Sequence, residues 1–276
     1  MTEMESFLEF AFFRNALAGL AIISIASALI GTYIVTRRMV SIAGGVTHAC
    51  FGGLGLGYYL GFNPVVTAAL FAIASSLGVE LMSGRGRVRE DSAIAVVWAI
   101  GMAVGILFVF LTPGYVPELN TFLFGNVLTI GAADLWAFGI FTAVLVAFYA
   151  AFYHKIVACA FDGDFARVIH LPVAFINCAM TVLTAVCIVL TIRLVGVMLL
   201  MSMLALPQMT AELFCHRFAT MMRLSALISL ACCIGGLLLA TVIDVPCSAL
   251  IVIVMATAYV VPAAVMPLVR RLARRS

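Results

Sequence analysis

Long apolar runs separated by short polar interruptions fill this chain from end to end. Nine runs stand out, at roughly 7–35, 42–61, 64–82, 92–112, 132–153, 172–191, 194–213, 221–241 and 246–268. Each is close to the ~20 apolar residues that carry a helix across a bilayer. A spanning segment must satisfy its backbone polar groups internally, so runs of this length predict helices rather than isolated strands. The fold class expected is all-α: a polytopic membrane helical bundle of about 8–9 transmembrane helices with no soluble domain, residues 1–276 forming a single transmembrane domain.

Charge orients the bundle. With the N-terminus outside, the inner loops take up Arg37 and Arg38; Arg85, Arg87 and Arg89; Lys155 and Arg167; Arg217 and Arg223; and Arg270, Arg271, Arg274 and Arg275. Thirteen of the 15 basic residues then lie inside, leaving Arg14 and Arg193 outside, which obeys the positive-inside rule for an odd number of spans. Eight spans would require merging or demoting a segment. The start, Met1–Glu5, lacks the basic region of a cleavable signal, so the first run is expected to stay as a helix. The C-terminal arginines read as an anchor at the inner headgroups rather than a nucleic-acid arm.

Two runs are interrupted. The first contains Ala43-Gly-Gly-Val-Thr-His48-Ala-Cys-Phe-Gly-Gly-Leu-Gly-Leu-Gly57, where closely spaced glycines weaken regular helix and suggest a broken or re-entrant segment. An imidazole in such a stretch costs free energy unless it faces a bundle interior or wet cavity, which makes His48 a candidate functional residue. The second runs from Arg193 through Val195-Gly-Val to Pro207. Interrupted apolar segments in both halves point to a substrate pathway between them. The inner stretch Ala160-Phe-Asp-Gly-Asp-Phe-Ala-Arg-Val-Ile-His-Leu-Pro172 predicts a short helix begun near Asp164 and ended by Pro172, with Phe165 and Val168 or Ile169 on one face. Physics leaves two uses open for it: lying in the headgroups, or docking a partner.

Composition narrows the chemistry. Hydrophobic residues make up 65% and charged residues 10%, and the mean hydropathy of +1.24 is far above soluble proteins, so a soluble enzyme is excluded. The eight cysteines form no C-x-x-C pair and read as small buried hydrophobes; the methionines Met198, Met201, Met203 and Met209 read as membrane packing. No G-x-x-x-x-G-K-[ST] loop occurs, so the chain has no P-loop for ATP, and no H-E-x-x-H marks a metalloprotease. Acids suited to a proton relay are scarce within the runs: Asp134 and Asp244 fall near outer ends, Glu80 and Glu212 near inner ends.

These fragments, in this order, resemble the integral-membrane permeases of ATP-binding-cassette importers for zinc, manganese and iron(II). The resemblance rests on Arg37-Arg-Met-Val-Ser-Ile-Ala-Gly-Gly-Val-Thr-His-Ala49, Glu90-Asp-Ser-Ala-Ile-Ala95, Leu119-Asn-Thr-Phe-Leu-Phe-Gly-Asn126, Phe161-Asp-Gly-Asp-Phe-Ala-Arg167, Val195-Gly-Val, Ala205-Leu-Pro-Gln-Met-Thr-Ala211 and Asp244-Val-Pro246. It implies a permease subunit, itself no enzyme and without a cofactor, that carries a divalent transition metal ion as substrate across the inner (cytoplasmic) membrane. It implies a cytoplasmic ATPase subunit, an extracytoplasmic metal-binding protein and a permease homodimer as partners, with no nucleic acid. A permease for a metal chelate such as a siderophore or cobalamin is the alternative.

The resemblance also implies roles. The stretch near 161–171 is similar to the coupling helix that docks on the ATPase, with Asp162, Asp164, Phe165, Arg167 and His170 as contacts. The family pattern around His48 is Gly-Asp-x-x-x-His, whose i, i+4 pair shares a helix face and can hold one ion; here the aspartate position is Gly44. Glu118 stands where relatives carry an acid at the outer entrance, and Asn126 supplies an oxygen at another polar position, so His48, Glu118 and Asn126 are the expected metal residues. A second histidine of some zinc members corresponds to Ala99. Cys50 and Thr47 lie near His48 in sequence but off its helix face. Arg193 is expected to cap a carbonyl end, hold an outer gate or meet the delivery protein.

Overall fold

The computed structural model describes residues 10–84, 88–113, 125, 127–243 and 245–273. These form α1 (Ala11–Thr36), α2 (Val40–Leu60), α3 (Pro64–Gly84), α4 (Glu90–Leu111), a 3-10 turn (Val127–Thr129), α5 (Ala132–Phe161), the short α6 (Gly163–Val168), α7 (Val173–Phe214), α8 (Phe218–Ile243) and α9 (Cys247–Ala273). Eight of these helices are long and apolar enough to cross a membrane.

The helix α7 resolves the span count. At ~1.5 Å per residue its 42 residues would measure about 63 Å, twice the ~30 Å apolar thickness of a bilayer. It does not run straight. Asn177 near its start accepts a hydrogen bond from Tyr33 at 3.3 Å, and Gln208 near its end donates to the Ser27 carbonyl at 2.9 Å. Ser27 and Tyr33 are only about 9 Å apart along α1, whereas 31 residues of straight helix would separate Asn177 from Gln208 by about 46 Å. The chain therefore doubles back, and the reversal is at Gly196, whose φ of 81° and ψ of 171° lie in a region essentially closed to residues with a Cβ. The legs 173–195 and 197–214 are two crossings, so the eight long helices make nine, as the apolar runs require.

The other interruption proves different in kind. The glycine-rich run is an unbroken helix, α2, not a broken or re-entrant segment. Lipid offers a backbone no hydrogen-bond partner, so a helix survives here despite glycine's weak propensity, about 1 kcal/mol per residue worse than alanine. The glycines serve packing. A Cβ on Gly53 would meet the Thr67 carbonyl oxygen at 2.5 Å and Ala68 Cα at 2.6 Å in α3, and a Cβ on Gly101 of α4 would meet Ala49 Cα at 2.5 Å. Such small-residue seams are how helices associate where no hydrophobic force pulls them together. The α2–α3 turn follows from local chemistry. Gly61 ends α2 with φ 69°, Asn63 Oδ1 accepts the Val65 N–H at 3.0 Å, and Pro64 opens α3 where its missing N–H costs nothing.

The deeply buried α1 is the post around which the others stand. Tyr149 of α5 donates to the Leu29 carbonyl at 2.7 Å, Ser229 of α8 donates to Ser24 at 3.2 Å, and both legs of α7 bond to it as above. Gln208 also repairs a defect. Pro207, inside α7, leaves the Met203 carbonyl without its helical donor, and Gln208 Nε2 supplies one at 3.0 Å. Gly31 of α1 leaves room for that amide, since a Cβ there would sit 2.5 Å from Nε2.

Gly196→Ala is expected to destabilise the protein by about 1–3 kcal/mol, because the backbone at the reversal excludes a Cβ. Gly78→Ala, on an open helical surface with nothing within 4 Å, should leave the thermal midpoint unchanged or raise it slightly. Thermal unfolding of the two detergent-purified variants, followed by intrinsic fluorescence, separates them.

Candidate functional site

Along α2, every residue from Ile42 to Gly55 is buried except His48. Its half-exposed ring lies parallel to Trp98 of α4, with centroids 4.6 Å apart and planes 1° from coplanar, and 6.1 Å from Phe51. His48 Nδ1 is buried and has no hydrogen-bond partner among the described residues. The Trp98 indole N–H is oriented in turn by Met102 Sδ, 3.1 Å away.

One helical turn before His48, a cavity of ~320 Å³ opens on the same side of the bundle. Its wall includes Ser41 and Gly44 of α2, Asp91, Ala95 and Trp98 of α4, and Met201 from the second leg of α7. Three helices distant in sequence thus meet at Gly44. A Cβ at Gly44 would stand 3.0 Å from Met201 Cε, so the thioether methyl closes off the place where the family aspartate would begin. A carboxylate is nonetheless at hand: Asp91 is exposed and accepts a hydrogen bond from Ser41 Oγ at 3.0 Å. The α7 leg exposes Met198 and partly exposes Met201 and Ser202, which share one face, while Met203 is fully buried. Two of the four methionines therefore line an open face, and packing accounts for Met203.

Cys50 and Thr47 are excluded as replacement ligands. Both are fully buried and turned back on their own helix, Cys50 Sγ to the Val46 carbonyl at 3.1 Å and Thr47 Oγ1 to the Ala43 carbonyl. No cluster of three or more histidine, cysteine, aspartate or glutamate side chains suited to a metal occurs among the described residues. Glu118 and Asn126 lie outside the described residues.

At the arginine-rich end, α6 hangs between α5 and α7. Its cap is Asp162 rather than Asp164: Asp162 Oδ1 accepts from the Asp164 and Phe165 N–H groups at 3.0 and 2.9 Å. Asp164 pairs with Arg167 one turn on, at 2.8 Å. The helix ends at Val168, before Pro172, because His170 adopts a left-handed φ of 58° and the Leu171 N–H closes on the Ala166 carbonyl at 3.0 Å. Ala166 is fully buried and anchors the element, while Phe165, Val168 and Ile169 stand 57%, 74% and 47% exposed. Three adjacent exposed apolar side chains on a capped, anchored helix make a surface suited either to the headgroups or to another protein. At the opposite end Arg193 pairs with Asp134 at 3.2 Å, which assigns it a partner within the chain.

Among the described residues, a helical body with a short capped helix at one end and a largely apolar cavity between α2, α4 and α7, edged by Ser41 and Asp91, fits a transport permease. The chain belongs to the ABC 3 transport family, whose profile matches residues 9–266. It is 35% identical over 242 residues to a probable metal transport system membrane protein of Chlamydia pneumoniae, covering 86% of this chain and 83% of that relative. It is 28% identical over 254 residues to the manganese transport system membrane protein MntC of Listeria monocytogenes, covering 92% and 90%. Among solved structures, PsaBC from Streptococcus pneumoniae in complex with Fab shares the fold, with a TM-score of 0.82 at 24% identity over 94% of this chain and 93% of that one.

Trp98→Ala is expected to uncover one face of His48. Carbethoxylation of His48, followed by peptide mass spectrometry in folded protein, should then accelerate several-fold, while the already exposed His170 reacts at its former rate.

Proposed function

We propose that this chain is the permease subunit of an ATP-driven importer that moves a divalent transition metal ion, zinc, manganese or iron(II), inward across the cytoplasmic membrane. The observation that carries the reading is the face on which α2, α4 and α7 bring His48, Ser41, Asp91 and Met201 around or beside one cavity. An imidazole turned toward lipid would be costly, so this face is covered in the working assembly, and a second copy of the chain is the natural cover. The names of the Chlamydia and Listeria relatives, which specify metal and manganese transport, support free ions over chelates.

The donor set is sparse by design. With Gly44 in place of an aspartate, the ion has His48 as nitrogen donor and must draw on water, Asp91 or the second copy for the rest. A path with few fixed ligands holds the ion weakly and lets it leave, with selection resting on an extracytoplasmic metal-binding protein. Imidazole suits zinc and oxygen donors suit manganese, and this mixture does not favour one strongly. The chain has no nucleotide site of its own, so energy enters through a separate ATPase docked on α6. Force on Phe165 and Val168 passes through the anchored Ala166 to α5 and α7. The second leg of α7 carries Met201 into the cavity wall, and Gly196 is the pivot between its legs.

In proteoliposomes holding the whole complex, His48→Ala should reduce ATP-driven uptake of zinc, manganese or iron(II) at least tenfold with the complex intact. Uptake at the parent rate would remove His48 from the path. Phe165→Asp should release the ATPase subunit, so co-purification in stoichiometric amount with normal ATP turnover would contradict the docking assignment.

A further inference from the structure

A cavity of ~560 Å³ lies away from the proposed ion path, behind α6 at the arginine-rich end. Its charged and polar lining is Arg37, Arg38, Arg167 and His216, with Glu212 as its carboxylate and Asn177 at its inner wall. Arg167 is paired with Asp164, which leaves Arg37 and Arg38 against Glu212 and makes the cavity a better place for an anion than for a divalent cation.

Arg37 is held ready. It is half-buried, its Nη1 donates to Tyr33 Oη at 2.8 Å, and Tyr33 in turn donates to Asn177 Oδ1 at 3.3 Å. Its charge stacks 5.5 Å from the Tyr33 ring centroid. Neither Arg37 nor Arg38 forms an ion pair among the described residues; Glu80 and Glu90 act on Arg37 only at longer range. A fixed guanidinium with free N–H donors is the usual receptor for phosphate.

Arg38 adds an independent sign. It sits at the left-handed position that closes α1, with φ 59°, where the Met39 N–H reaches the Ile34 carbonyl at 2.9 Å. Glycine is the residue this position favours, since any side chain there adds strain. An arginine kept at a glycine position, its charge on the wall of a basic cavity, fits a role for that charge rather than for the turn.

We propose that this cavity binds a phosphate-bearing anion, either the headgroup of an anionic phospholipid or a free phosphate. Apolar walls from Phe161, Val173 and Met221 are compatible with the lipid source. Because α6 and the start of α7 form part of the wall, an occupant would brace the docking helix against the bundle. The site does not depend on the transport reading.

The test uses the full chain in neutral detergent. Native mass spectrometry reads retention of phosphatidylglycerol against phosphatidylcholine, and calorimetry reads inorganic phosphate. Retention of phosphatidylglycerol alone identifies a headgroup site; binding of inorganic phosphate identifies a free-anion site; either supports the proposal. Arg38→Gly should weaken the bound probe about fivefold, as should Arg167→Ala, and Glu212→Gln should strengthen it by a similar factor. Since Arg38→Gly relieves the turn, its thermal midpoint should not fall, which separates lost binding from lost fold. Binding of neither probe, equal retention of phosphatidylcholine, or unchanged affinity in Arg38→Gly would overturn the proposal.

Discussion

Within the membrane no backbone N–H or C=O can turn to water, and most of this structure follows from how the chain meets that demand. It keeps α2 helical through a stretch whose glycines would fray in solution. It makes Pro207 tolerable only because Gln208, one residue on, lends its amide to the orphaned Met203 carbonyl while tying α7 to Ser27 of α1. The same demand is met at Gly196 by a sharp reversal made with a single residue, whose backbone geometry excludes a Cβ. Individual bonds of this kind contribute modestly, about 0.6 kcal/mol on average between membrane helices. Their number around α1 is what makes the bundle one unit.

Two of the polar places among the described residues differ in sign. On the lateral face, His48, Asp91 and methionine sulfur offer electron pairs to a cation. At the arginine-rich end the cavity behind α6 presents guanidinium groups. A cation is favoured beside the first and disfavoured in the second. The two sites share α7, whose first leg begins at the basic cavity and whose second leg supplies Met201.

The helical class and the long apolar runs were legible in the chain, because apolar run length answers directly to bilayer thickness. The family resemblance was equally legible and holds over residues 9–266. The glycines of α2 were harder. Weakened helix and close packing leave the same trace in a sequence, and only the contacts to Thr67, Ala68 and Ala49 tell them apart. The short helix expected near Asp164 begins at Gly163 with Asp162 as its cap, a choice between two aspartates that only backbone geometry makes.

The sequence by itself determined that this is a membrane bundle without a P-loop motif, and its likeness to the metal permeases marked Gly44 as the position where that family carries an aspartate. The first two are properties of local composition and spacing, which a neighbourhood of a few residues expresses in full. Only the tertiary structure decided what surrounds that gap. Asp91 and Met201 lie 47 and 157 residues from Gly44 and share no pattern with it. The packing of α4 and of the returning leg of α7 against α2 brings them to its side, and contacts between distant segments leave no periodic signature in one chain.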